Sequence, residues 1–460
     1  MRLRLPGIWV LTCGLAAPSR GADGPPPLPT TDPEIAQMLT EISADRIQRS
    51  VFILSSFKTR HTFSDPDPTG DGIGAAAGWI RTQMQKAAAE SAGRLSVKSD
   101  AFTQAPVYPQ VPQPVEITNI VGTLAGSHRG SAQRVFVVCA HYDSRVRDRL
   151  DAVSPAPGAD DDASGVAAVL ELERVMARHE FPATIVFVAF AGEEQGLYGS
   201  AHWAAGARQR GENIEGVLNN DMIGNTHGPN GTYLHDQVRL FAQGVPPASE
   251  WNAELAQQIA TGGQNDLPPR ELARAIMDCA QVYAPKMNVR LIYRADRYLR
   301  EGDQMSFLKA GYPAVRFTEP REDYTHEHED VRTENGVSYG DVPDDIDYVY
   351  VTNVARLNGA VLAELARAPA PPRAAEIEIA RPENSTTLRW APSPEAGLAG
   401  YRILWRDTTQ PFWTHHADVP AGQTRVTLPV NPDDVVFGIE VFDADGHVSR
   451  AVLPQPRRVP

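Results

Sequence analysis

Two stretches of this chain, Val135-Phe136-Val137-Val138-Cys139-Ala140 and residues 184–191, contain only apolar or β-branched residues. Both are far too short to cross a bilayer. A strand that is apolar on both faces must instead be covered on both faces, as in the sheet of an α/β protein. Other strand-like runs occur at 115–124, 214–222, 289–293 and 314–317. Helical periodicity separates them. Ile35, Met38, Leu39, Ile42 and Ile47 predict a helix over 32–56. Further helices are predicted over 74–89, 164–178, 198–208, 271–283 and 349–367. This alternation predicts an α/β fold, a mainly parallel mixed sheet sandwiched by helices.

The pattern changes after Ala368-Pro369-Ala370-Pro371-Pro372. Residues 368–373 read as a stiff Pro-rich linker. Short alternating segments follow over 374–458, with turns such as Asp445-Gly446, and predict a small β-sandwich with Trp390, Tyr401 and Trp405 in its core. This tail resembles a fibronectin type III domain in Leu388-Arg389-Trp390, Gly400-Tyr401-Arg402-Ile403 and Ala444-Asp445-Gly446. The linker predicts a tail that folds separately and can be removed near Ala370 with activity on small substrates retained. At the other end, Arg2 and Arg4 precede an apolar run and then small residues, the layout of a secretory signal over 1–22. The expected location is therefore secreted or periplasmic, with no membrane span. A formal net charge of -14 argues against a nucleic-acid partner, which would need clustered Lys and Arg. Beyond Cys13 in the signal, only Cys139 and Cys279 remain, too few for a disulfide framework and expected to be buried thiols.

The strand ends carry the chemistry. Ligand sites of open α/β sheets form at the carboxyl ends of the strands. There the sequence places His141 and Asp143, then Asp160-Asp161-Asp162, Glu193-Glu194, Asp221, and an acidic loop holding His326 and His328. Five such groups suit two metal ions side by side, which can turn water into a nucleophile near neutral pH. His141 and Asp143 are i and i+2 and point to one side, so Asp143 is expected to hydrogen-bond the ring nitrogen of His141 that faces away from a metal. Three adjacent carboxylates repel unless a cation sits among them. Asp161 is the expected bridge, while Asp162 or Ser164 caps the helix that follows. In Glu193-Glu194 one acid can bind metal while its neighbour carries protons. Of His326 and His328, one is expected to be a ligand.

Taken together, HYDS, PGADDDASG, FAGEEQGLYGS, LNNDMIG and AGYPAVRFTEP…DYTHEHED resemble the M28 family of zinc peptidases, over about residues 57–367 of a domain spanning 32–367. The resemblance implies a di-zinc aminopeptidase acting on peptides with a free N-terminus. It implies Asp161 as the bridge, His141 and Asp221 on one ion, Glu194 and His326 on the other, and Glu193 as general acid/base. His326 is chosen over His328 because the family's ligand is followed four residues on by an acid, here Asp330. The cofactors implied are two Zn2+, with Co2+ or Mn2+ as alternatives. The resemblance also implies a cis peptide bond after Asp161. The chain departs from the family in Gly302-Asp303-Gln304, where many members carry His, and the oxyanion donor falls to Tyr298 or Arg300. Alternatives on the same fold are a carboxypeptidase or a glutaminyl cyclase. A different class is a non-catalytic binding ectodomain, which would be expected to lack ligands that this chain keeps. Arg294, Arg297, Arg300 and Arg316 leave room for a terminal-carboxylate clamp, and the tail is expected to contact large substrates or surfaces.

Overall fold

A computed structural model describes residues 22–228, 231–379, 383–395 and 397–458. The predicted signal segment lies almost entirely outside these residues. No helix among the described residues is long and apolar enough to cross a membrane.

The chain enters through a two-residue strand, β1 (Ala22–Asp23), and the helices α1 (Pro33–Thr40), α2 (Ala44–Ser55) and α3 (Ile73–Glu90). The predicted single helix over 32–56 is thus two. Asp32 caps α1 by accepting from the backbone N–H of Glu34 and Ile35. The helix ends at Thr40, and Ser43 turns extended before α2, its N–H donating to Glu171. The break keeps the apolar stripe continuous, since Ile35, Met38, Ile42, Ile47 and Val51 are all buried in one core.

The strands β2 (Leu95–Gln104), β3 (Val115–Leu124), β4 (Arg134–His141), β5 (Thr184–Phe190), β6 (Asn213–Asn220), β7 (Gln237–Ala242), β8 (Asn288–Ile292) and β9 (Ala314–Thr318) form one eight-stranded sheet in the order β2-β3-β5-β4-β6-β9-β7-β8. Its centre, β5-β4-β6-β9, is parallel, and β3 and β7 run antiparallel to their neighbours β5 and β9. One face is covered mainly by α2, α3, α4 (Gly165–Met176), α7 (Pro268–Tyr283) and α9 (Tyr348–Arg367); the other carries α5 (Tyr198–Arg210) and α8 (Gln304–Lys309). The two all-apolar runs are β4 and β5, buried on both faces as their composition requires. Cys139 and Cys279 are both free and buried.

The strands β12 (Arg373–Ile379) to β18 (Gln455–Arg458), joined by β1, form two four-stranded sheets, β1-β15-β14-β17 and β16-β13-β12-β18, which share one apolar core. Between them lie β13 (Thr386–Ala391), β14 (Leu398–Asp407), β15 (His415–Pro420), β16 (Arg425–Leu428) and β17 (Val435–Asp443), and ahead of them a small hairpin pairs β10 (Arg332–Glu334) with β11 (Val337–Tyr339). Trp390, Tyr401 and Trp405 are buried in the shared core.

Buried polar pairs join this tail to the α/β unit. Arg406 on β14 pairs with Asp266, just before α7, and both side chains are wholly buried. Asp266 also accepts from Arg274 at 2.8 Å, and Arg274 in turn donates to the Pro411 carbonyl at 2.7 Å. Trp413 donates its indole N–H to Glu271. His447 lies 2.9 Å from Glu364 of α9. Buried charges keep such geometry only when each has a partner, so the two units are keyed to one another by polar pairs.

Candidate active site

Strands β5, β4 and β6 are parallel neighbours, with His141 in register with Phe190 and Cys139 with Asn219. Their carboxyl ends therefore coincide. His141 closes β4, Glu193 and Glu194 follow β5 after Ala191-Gly192, and Asp221 follows β6. Gly192 turns the chain with φ +74°, which a residue lacking Cβ adopts readily.

The three acids of Asp160-Asp161-Asp162 take three directions. Asp160 accepts the Gly224 amide at 2.7 Å. Asp162 accepts the amides of His141 (3.1 Å), Gly165 (3.1 Å) and Met222 (3.3 Å), so it is the helix cap and also ties β4 to the end of β6. Asp161 alone turns toward the imidazoles. Its Oδ1 lies 3.0 Å from His141 Nε2, and its Oδ2 lies 2.8 Å from His328 Nε2. The Asp161–Asp162 peptide bond is cis.

His328, not His326, is the imidazole the structure brings to this cluster. His328 Nε2 is also 3.1 Å from Glu194 Oε1, whereas His326 Nε2 faces Asp345 Oδ2 at 3.7 Å. The two belong to one tight turn in which the amides of His326 and Glu327 both point back to the Asp323 carbonyl. His328 takes φ +56°, and the turn sends the two rings apart. The acid four residues past His326 carries no information about that divergence.

Asp143 does other work than its spacing predicts. Its carboxylate is 3.6 Å from His141 Nδ1, too far for a hydrogen bond, and the ring nitrogen meets the Asp143 backbone carbonyl at 3.1 Å instead. The carboxylate accepts the amides of Glu193 (3.3 Å) and Glu194 (3.1 Å). It thus fixes the dipeptide that carries both acids.

Three arginines lie against this cluster: Arg300 and Arg316, both singled out from the sequence, and Arg145, which is not. Arg145 donates to Glu194 Oε2 at 2.9 Å and meets His328 Nδ1. Arg316, wholly buried on β9, donates to Asp221 Oδ1 at 2.8 Å and to Asp296 at 3.1 Å. Arg300 pairs with Glu322 and Glu327. Tyr298, the other oxyanion candidate, is 79% exposed with its hydroxyl on Arg294. Arg294, Arg297, Arg300 and Arg316 are therefore all engaged, and none stands free as a terminal-carboxylate clamp. Only Arg316 was foreseeable as a buried charge, lying inside the apolar run of β9.

The fields in the site are strong. Burial pushes the Glu194 carboxyl up, but His328 and Arg145 outweigh it and bring the pKa down to about 2. For His328, burial works against protonation, while Glu194 and Asp161 raise it to about 9. Burial, reinforced by Asp221 and Glu194 against the pull of His141, holds Glu193 well above the ordinary carboxylate range.

The donor set fits divalent metal. Glu194 Oε1 is buried and makes no hydrogen bond. Ligand atoms of His141, Glu193 and Asp221 lie within 4.8 Å of one another, as do those of Asp161, Glu327 and His328. Imidazole with carboxylate is a common environment for zinc. These groups line the inner end of a cavity of about 860 Å³ whose walls come from α5, α8 and residues 297–301.

Residues 119–363 match the model of Peptidase family M28. A "Probable zinc metalloprotease" of Pyrenophora teres f. teres is 44% identical over 92% of this chain and 87% of its own length. One of Pyricularia oryzae is 44% identical over 92% of this chain and 85% of its own. Among solved structures, LapB from Legionella pneumophila superposes with a TM-score of 0.53 at 19% identity, covering 76% of this chain and 78% of that one. The aminopeptidase from Aneurinibacillus sp. strain AM-1 gives 0.50 at 15%, covering 72% and 96%. These last two share the fold. With strand-end acids and imidazoles gathered around Asp161, a family match that spans the central strands and the site, and relatives aligned over most of their length, this chain belongs to peptidase family M28 and is a metallopeptidase.

Proposed function

We propose that the protein is an exported aminopeptidase using two zinc ions, with Asp161 bridging them, His141 and Asp221 completing one set of ligands, and Glu194 and His328 the other. The observation that carries this reading is the division of Asp161, one oxygen toward His141 and the other toward His328. Ions held there would polarise the scissile carbonyl and acidify a water at neutral pH. Within the chain, Asp143 fixes the amides of Glu193 and Glu194, Arg316 orients Asp221, and Arg145 orients both Glu194 and His328. Glu193 is the residue that takes a proton from the attacking water and hands it to the departing amine. Glu193, Glu194 and Asp221 make the inner end of the cavity negative, which suits the ammonium of a free N-terminus. The arginines closest to them are already paired, which disfavours a carboxypeptidase.

The first test is elemental analysis. His328→Ala is expected to hold one fewer ion than the parent chain and to lose turnover by about 10²-fold or more, while His326→Ala keeps both ions. The reverse pattern would return the ligand to His326, and a single ion in the parent chain would end the two-ion reading. The second test is N-acetylation of a peptide substrate, which should abolish cleavage. Equal cleavage of blocked and free peptides would sink the aminopeptidase assignment.

A further inference from the structure

The cavity has two electrostatic ends. Its deep end is carboxylate, but its exposed rim is basic, with Arg149, Arg208 and Lys309 all lining the same space. The rim cations differ from the arginines further in. Arg145, Arg297 and Arg300 are each bound to a carboxylate of the protein. Neither Arg149 nor Arg208 has an ion-pair partner among the described residues. Lys309 has only Glu301, in a pair about half exposed on both sides.

The backbone explains how the two ends face each other along one wall. Ala201, Ala205 and Arg208 are spaced i, i+4, i+7 on α5 and so share one face of the helix. The two alanines leave that wall flat, and Arg208 stands at its outer end. Lys309 closes α8 opposite, and Arg149 reaches the rim from the loop after β4. A peptide lying along this wall with its ammonium among Glu193, Glu194 and Asp221 carries its later residues out to three cations.

We propose, building on the aminopeptidase reading above, that this rim selects substrates bearing a carboxylate beyond the free amine. The two sources of that group are the C-terminus of a short peptide and an acidic side chain just after the N-terminal residue. Arg208 and Arg149 are specificity residues that bind this carboxylate, and Lys309 assists by exchanging Glu301 for it. Exposed guanidiniums contribute modestly one by one, so two of them together imply about a 3- to 10-fold preference.

The experiment uses the full chain loaded with zinc and compares kcat/KM for four substrates with a free N-terminal amine and an uncharged first side chain. A tripeptide free acid is set against its C-terminal amide, and a longer amidated peptide with Asp in second or third place against the same peptide with Asn. The expected result is a preference of about 3- to 10-fold for the carboxylate member of at least one pair, carried by KM and shrinking at high salt. The first pair identifies a terminal carboxylate as the source and the second a side chain. Arg208→Glu should drive the preference to unity or invert it, whereas Arg208→Lys keeps most of it. A merely structural role for Arg208 would move all four substrates equally. If no pair shows a preference while N-acetylation still abolishes cleavage, the inference fails and the aminopeptidase reading stands. If acetylated peptides are cut as well as free ones, the reading itself fails, and the inference with it.

Discussion

On the proposed assignment, Glu193→Gln is expected to leave the fold and both metal ions in place while turnover falls by about 10²-fold or more, the usual scale for losing a general acid/base. The substitution preserves shape and removes only the ability to accept a proton. Its backbone amide still meets Asp143, so the neighbouring Glu194 keeps its position. Glutamine carries no charge, so Asp221 and Glu194 lose one repelling neighbour. That relief favours the metal-free site, so metal affinity should fall modestly while the ions stay bound at saturating zinc. The check is a paired measurement of bound metal and kcat on the same preparation. Activity within a few-fold of the parent, with metal intact, would remove Glu193 from the proton path. Loss of metal together with activity would instead make it a ligand, as its proximity to His141 and Asp221 allows.

The second large effect concerns the tail. Asp266→Ala is expected to destabilise the protein by about 3–5 kcal/mol, the typical consequence of removing one partner from a buried ion pair. Arg406 is wholly buried, and besides Asp266 its guanidinium meets the carbonyls of Asp407, Thr408 and Gln410 and lies over the Trp413 ring, none of which carries a compensating charge. Arg274 would keep Glu271, so the unpaired charge falls on Arg406. Pairing Asp266→Leu with Arg406→Met should recover most of the loss, because a buried ion pair replaced by apolar side chains is often neutral. Thermal unfolding of the single and double variants checks both statements. The same pair bears on truncation. A chain ending at Ala370 would expose Asp266, Glu271 and Arg274 without their partners from β14 and Trp413, and is expected to unfold more readily than the full chain. Equal stability of the truncated and full chains would make the interface a passive contact.

The sheet and its order of metal-capable residues were legible because they rest on local rules. A run such as Val135 to Ala140 can only be a doubly covered strand, and His141 directly after it can only lie at the carboxyl edge. Mutual repulsion among three adjacent acids points to a cation but not to which acid meets it; the resemblance singled out Asp161, and in the structure Asp160 and Asp162 accept backbone amides while Asp161 faces both imidazoles. What the sequence left open depends on long-range geometry. The choice between His326 and His328 turns on one residue adopting positive φ within a tight turn. The partners of Asp143 depend on where β5 ends relative to β4. The anchoring of the tail rests on Arg406 meeting Asp266 across 140 residues of chain, and no pattern around Pro371-Pro372 registers it. Periodicity over 32–56 was correctly helical but could not locate the break, since both helices bury the same stripe.

The turn that carries His328 has one more consequence, for how the protein loses its metal. His141, Glu194 and Asp221 are fixed to the ends of central strands, which are the last parts of such a sheet to open. His328 hangs on a turn outside the sheet, held by its own backbone hydrogen bonds and by side-chain pairs such as Arg300 with Glu327, Arg145 with His328 and Arg147 with Glu329. On the proposed assignment the two ions therefore leave at different rates. The one sharing His328 escapes whenever the turn opens, and the one between His141 and Asp221 waits on the sheet itself. A chelator should draw the metals out in two kinetic phases of equal amplitude.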